Sequence, residues 1–256
     1  MIMIDRNHQI TSTSGCRALY RVGAAAAWAV VLLTMGVVTW LTIFPQPATV
    51  EGWFELFQRT PLIGVLDFWG LEVLMYPMFV LVFLSLDNVL RESAPVRMTV
   101  ALVFGLLGVG IFLANNNPFT MLSLSREHAA AVTASERAML LAAGKAVLVG
   151  TGQRVVGGFN VGLFLVSLAG LITSTAFFKG GVFRRQAGYL GLAAFGLSLL
   201  DYFRQMITSS TLIALLVILP NAILLVIWFG RIGSRLYQLG REVEPGQENP
   251  GLRTKV

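Results

Sequence analysis

Residues 96–114 read VRMTVALVFGLLGVGIFLA and run straight into Asn115-Asn116-Asn117-Pro118. After Arg97 the run carries no charge. At about 1.5 Å of rise per residue it reaches about 28 Å as a helix, close to the roughly 30 Å hydrocarbon thickness of a bilayer. The apolar residues surround the helix on all sides, so no face is left for water. Three asparagines and a proline then end it. This is the pattern of a membrane-spanning helix.

Five comparable runs flank it, at 22–44, 62–86, 155–178, 187–207 and 211–230. The first is too long for a signal-peptide core and reads as an uncleaved anchor. The purely apolar part of 187–207 stops at Leu200, so that helix must continue through Asp201 and Arg204 to span. Pro77 and Pro220 are expected to kink their helices. Only 12% of the 256 residues are charged and 55% are hydrophobic, whereas a soluble domain carries about 25% charged residues. The mean hydropathy is +0.73. The predicted fold is therefore all-α: a polytopic bundle of six transmembrane helices over residues 22–232. A cytoplasmic N-terminal segment, 1–21, precedes it, and a polar cytoplasmic tail, 233–256, follows and is expected to be disordered.

Charge sets the orientation. Arg59, Arg126, Arg137, Lys145, Arg154 and Arg204 fall on one side of the predicted spans, and the rest of the 19 Lys and Arg fall on the other. The richer side is read as cytoplasmic, which puts both termini inside. The net charge of +6 belongs to this anchoring pattern. No basic stripe with interleaved aromatics points to nucleic acid. Trp40 and Trp53 stand where interfacial anchors stand. The partner read from composition is the lipid bilayer, with a homo-oligomer or another membrane protein as a further partner.

The long external loop, 115–154, contains Thr133-Ala134-Ser135-Glu136, the form of a capping box. Beyond it Leu140, Ala143, Val147 and Leu148 share one helical face. Residues 135–149 are read as an amphipathic helix on the outer membrane surface or over the bundle, because Glu136, Arg137 and Lys145 argue against a seventh span.

Catalytic signatures are lacking: no P-loop, no Gly-x-Ser-x-Gly, no His-Glu-x-x-His, no Cys-x-x-Cys. His8 and His128 are too few for a histidine-rich metal site, and no cofactor or metal is implied. Cys16 stands alone, so it makes no internal disulfide. Gly105, Gly108 and Gly110, and Gly158 with Gly162, are read as small-residue packing faces.

The acids within the spans carry the sharpest signal. An acid near a helix centre costs about 2.5–3.5 kcal/mol on insertion scales, so it turns inward and finds partners. Counted from the start of its run, Glu72 lies about 15 Å deep and Asp67 about 7 Å. Five residues apart on a continuous helix, they need not share a face. Arg154, Asn160 and Arg204 are the candidate partners, and Asp201 with Arg204 is spaced to pair. The candidate network is thus Asp67, Glu72, Arg154, Asn160, Asp201 and Arg204. Leu66-Asp67-Phe68-Trp69 echoes Leu200-Asp201-Tyr202-Phe203. Both fall in the outer half, whereas an inverted repeat would place them at opposite depths.

From Asn117 to Arg241 the sequence resembles a bacterial membrane-protein family catalogued as domain of unknown function 4386. The resemblance rests on Met121-Leu122-Ser123-Leu124-Ser125, His128-Ala129-Ala130-Ala131 and Arg137-Ala138-Met139-Leu140-Leu141-Ala142-Ala143-Gly144. Gly188-Tyr189-Leu190-Gly191 and Leu236-Tyr237-Gln238-Leu239-Gly240-Arg241 extend it. It implies a multi-span bundle in a bacterial plasma membrane, and no activity. Three functional readings stay open. The first is binding or moving a small solute, lipid or proton through a polar outer-half pocket. The second is a structural or regulatory partner of another membrane protein. The third is an intramembrane enzyme with Glu72 and Asp67 as acid and base, though no nucleophile or metal set accompanies them.

Overall fold

The computed structural model describes residues 6–153, 158–207 and 211–242. They form ten helices: α1 Arg6–Ile43, α2 Val50–Arg59, α3 Pro61–Trp69, α4 Glu72–Leu90, α5 Pro95–Asn115, α6 Pro118–Ala130, α7 Ala134–Thr151, α8 Val161–Gly180, α9 Arg185–Ile207 and α10 Thr211–Glu242. Five segments are long and apolar enough to cross a membrane: Gly15–Ile43, Pro61–Leu90, Pro95–Ala130, Val161–Lys179 and Leu216–Glu242. α9, which carries Asp201, Arg204 and Gln205, is not among them.

Six helices close a ring. α1 packs on α4, α4 on α5, α5 on α8, α8 on α9, α9 on α10, and α10 back on α1. Apolar side chains face out of the ring as well as into it: Leu32, Val103, Leu107, Leu216 and Ile223 are all exposed. A water-soluble protein would bury such faces, whereas lipid accepts them. With lipid outside, helix association depends on close packing. The α5–α8 contact shows how this is achieved. A Cβ on Gly108 would stand 2.6 Å from the Gly162 carbonyl oxygen, and a Cβ on Gly162 would stand 2.6 Å from that of Gly108. Gly105 makes room for Phe83. Gly110 meets nothing within 4 Å, and Gly158 lies in the turn before α8, so those two are not packing positions on a helix. An aromatic core fills the ring: Tyr76 stacks on Phe112 with centroids 3.5 Å apart, and Trp228 meets Phe177, Phe195 and Phe229.

The run 62–86 is not one helix. The chain breaks after Trp69, where Gly70 takes φ 56° and ψ −168°, a region open almost only to glycine. Pro77, the expected kink, lies inside α4. The break gives Glu72 the first position of a new helix.

α2, α3, α6 and α7 form a second layer with its own core of Val50, Trp53, Phe54, Phe57, Phe68, Met121 and Leu148. Side-chain caps start α2, α6 and α7. The Thr49 hydroxyl accepts the Gly52 N–H at 3.1 Å, and Val50, Trp53, Phe54 and Phe57 then make one buried stripe. The Asn117 side chain accepts the Phe119 N–H, with Pro118 opening α6. The capping box at Thr133 and Glu136 is present in full, and α7 begins one residue before the expected helix and ends two residues after it. Gly144 and Leu148 are its buried residues. Trp53 is 1% exposed, a core residue and not an interfacial anchor. α10 continues to Glu242, so residues 233–242 are helix and not the disordered tail expected there. α1 likewise begins at Arg6, inside the segment 1–21.

Candidate functional site

At the end of the ring beneath the second layer, a cavity of about 520 Å³ opens between α1, α4, α5, α8 and α9. Its walls combine aromatic and amide side chains with two carboxyl groups: Trp40, Gln46, Asp67, Trp69, Glu72, Asn116, Gln153, Asn160, Tyr202 and Gln205.

Asp67 is 3% exposed and sits in the last turn of α3, where the helix dipole disfavours an acid. A specific donor compensates: the Trp40 indole N–H reaches its Oδ1 at 3.1 Å. The Gln46 amide donates to the Asp67 backbone carbonyl at 3.0 Å and accepts from the Gln153 amide at 3.3 Å. A relay of amides thus joins the end of α7 to α3. Trp69 donates to the Asn116 carbonyl at 2.7 Å and fixes the end of α5.

Glu72, half-buried, occupies the first turn of α4, the positive end of that helix dipole. This placement favours an anionic side chain by about 0.3–1 kcal/mol. One turn on, the buried Tyr76 hydroxyl lies beside Asn160 without reaching hydrogen-bond geometry, and within the field of Glu72. Asn160 has a second task, since its side chain accepts the Leu163 N–H at 2.9 Å and caps α8. On α9 Asp201 is 3% exposed. It accepts from Arg204 Nε at 2.7 Å and from the Gln205 amide at 3.2 Å. Gln205 therefore reaches the cavity with its amide tethered to Asp201.

Asp67, Glu72 and Asn160 accordingly line one cavity, and Asp201 and Arg204 form an ion pair on α9 beside its lining residues Tyr202 and Gln205. Asp67 and Glu72 share it because the chain breaks between them at Gly70, a turn that the continuous-helix geometry does not contain. Arg154 lies outside the described residues. The sequence reading missed Gln46, Asn116, Gln153, Tyr202 and Gln205 as site residues, and it took Trp40 for a lipid-interface anchor. The one available signal was the Asp67/Asp201 likeness: Phe68 and Trp69 on one side, and Tyr202 on the other, meet at this cavity.

A buried polar atom of the cavity wall lacks a hydrogen-bond partner among the described residues. Asn116 is 6% exposed, and its side-chain oxygen accepts no hydrogen bond among the described residues. Leaving such an atom unpaired costs about 1–3 kcal/mol. Among the described residues no three of His, Cys, Asp and Glu come together as a metal site. The chain matches no protein-family model, no curated protein and no solved structure.

Proposed function

We propose that the protein is a six-span membrane protein that binds a small hydrogen-bonding solute in this cavity and passes it across the bilayer. The observation that carries the reading is the buried Asn116 side-chain oxygen, without a donor among the described residues, in the wall of a space lined by amides, indoles and carboxyl groups. A void of about 520 Å³ suits a small ligand, since such pockets run from about 300 Å³ upward. Its many side-chain amides suit a polar solute better than an acyl chain.

α9 supplies the sixth span in this reading. Its 23 residues extend about 34 Å, it closes the ring between α8 and α10, and its one acid–base pair is internally matched. Arg91, Arg97 and Arg235 gather at the ring end opposite the cavity, where Arg97 donates to the Thr175 carbonyl and Arg235 to that of Val182. That end is assigned to the cytoplasm of a bacterial inner membrane. The cavity then opens outward, and α2, α6 and α7 form an external layer. The resemblance to the domain of unknown function 4386 family belongs to this reading, because it implies the same kind of bundle.

A thermal-shift panel in mild detergent tests the proposal, with amino acids, polyamines, polyols and nucleosides as probes. A true ligand at ten times its Kd adds about 1.4 kcal/mol, which raises Tm by about 3 °C or more in a chain of this size. One chemical class should stabilise the wild type and not Asn116→Leu or Gln205→Leu. If every class acts alike on all three proteins, the cavity is not a binding site.

A further inference from the structure

A second recess, of about 790 Å³, lies at the opposite end of the ring, between the α8–α9 turn and α10. Three guanidinium groups line it: Arg184, Arg231 and Arg235. Arg235 is held in place. It donates to the Val182 carbonyl at 3.1 Å and pairs with Glu242 at 3.0 Å. Arg184 and Arg231 are exposed and make no ion pair among the described residues. The recess therefore holds uncompensated positive charge. Behind it Phe183 is buried and stacked on Phe177 at 4.5 Å, giving a firm apolar back wall.

The face of α10 that forms the recess has two chemistries in sequence. Leu216, Leu219, Ile223 and Ile227 are exposed and follow one another at helical spacing. The same face continues through Arg231, Ser234 and Gln238 into the recess. An exposed apolar track thus leads into a pocket where Arg184 and Arg231 make no ion pair among the described residues. A free phosphate would use only the pocket, and a zwitterionic lipid would gain little net charge attraction there. An anionic phospholipid uses both parts.

We propose that this recess is a binding site for an anionic phospholipid, with its phosphate between Arg184 and Arg231 and an acyl chain along Ile227, Ile223 and Leu219. Guanidinium groups suit phosphate because they present paired donors in a planar fork. Each basic group near an anionic headgroup strengthens binding severalfold, so losing two weakens it about tenfold or more. The inference is independent of the cavity at the other end.

Native mass spectrometry of the full chain, released from mild detergent, tests it. The probes are dioleoyl phosphatidylglycerol, dioleoyl phosphatidylcholine and inorganic phosphate. The wild type should retain phosphatidylglycerol at collision energies that strip phosphatidylcholine. R184Q with R231Q should reduce retained phosphatidylglycerol about tenfold and leave phosphatidylcholine unchanged. Both side chains are exposed, so the double variant keeps the fold, and an unchanged Tm verifies this. Equal retention of the two lipids, or a double variant that holds phosphatidylglycerol as the wild type does, overturns the proposal. Displacement of phosphatidylglycerol by millimolar inorganic phosphate also overturns it, because the acyl track would then contribute nothing.

Discussion

The indole N–H of Trp40 donates to a carboxyl oxygen of Asp67 across 3.1 Å and ties the end of α1 to the last turn of α3. Asp67 is 3% exposed and the indole is the side-chain donor that holds its carboxyl, so losing the indole removes that bond. Trp40→Phe should therefore lower unfolding stability by about 1–3 kcal/mol. Trp40→Phe combined with Asp67→Ala should be less damaging than the sum of the two, with a coupling of at least about 0.5 kcal/mol in a double-mutant cycle. Strict additivity would mean that the two side chains do not interact.

The α5–α8 contact gives a packing prediction with an internal control. Gly108→Ala places a carbon against the Gly162 carbonyl oxygen, a backbone atom that cannot rotate away. It should cost about 1–3 kcal/mol, measured by thermal unfolding in detergent. Gly110→Ala, two residues on, meets nothing within 4 Å. It should be neutral, or stabilising by about 0.5–1 kcal/mol through helix propensity. Equal effects at the two positions would contradict the close approach.

The second layer carries a pH dependence at its edge. The Thr133 N–H, the Thr133 hydroxyl region and the Val132 N–H hold the Glu136 carboxyl below the usual glutamate range. Its folded pKa is lower than its unfolded one. The stabilisation is therefore complete above the unfolded value and is lost as pH falls through the folded one. Hydrogen exchange, corrected for its intrinsic pH dependence, should show the amides of residues 132–137 losing protection on acidification to below the usual glutamate range. Glu136→Ala should show low protection at neutral pH and no such transition.

How much of this the sequence discloses depends on the range of the interaction. Long apolar runs and the Thr133–Glu136 box are local, and both are legible. α2 escaped notice although Thr49 and the stripe Trp53, Phe54 and Phe57 announce it, because next to long apolar runs a ten-residue helix reads as a connection. Gly70 was hidden for a different reason. A glycine inside an apolar run looks like a packing position, and only its φ of 56° shows that it divides two helices. Glu72 was read as a deep mid-helix acid, whereas the break makes it an N-terminal one. The Trp40–Asp67 bond joins residues on different helices, so no spacing rule reveals it. Asp201 and Arg204, three apart on one helix, were legible as a pair for the opposite reason.

The cavity, if it opens outward as proposed, must admit an aqueous reagent from the outer face of the membrane. Leu163 lines that cavity in the first turn of α8 and forms no side-chain hydrogen bond, so it accepts a cysteine without loss of the network. Tyr237, exposed near the other end of α10, is the control. In a Cys16→Ser background, a membrane-impermeant thiol reagent applied to intact cells should modify Leu163→Cys and spare Tyr237→Cys until the cells are permeabilised. Modification of Tyr237→Cys alone in intact cells would reverse the orientation. A Leu163→Cys that stays unmodified even in folded, detergent-solubilised protein would show a dry, closed bundle and contradict the account.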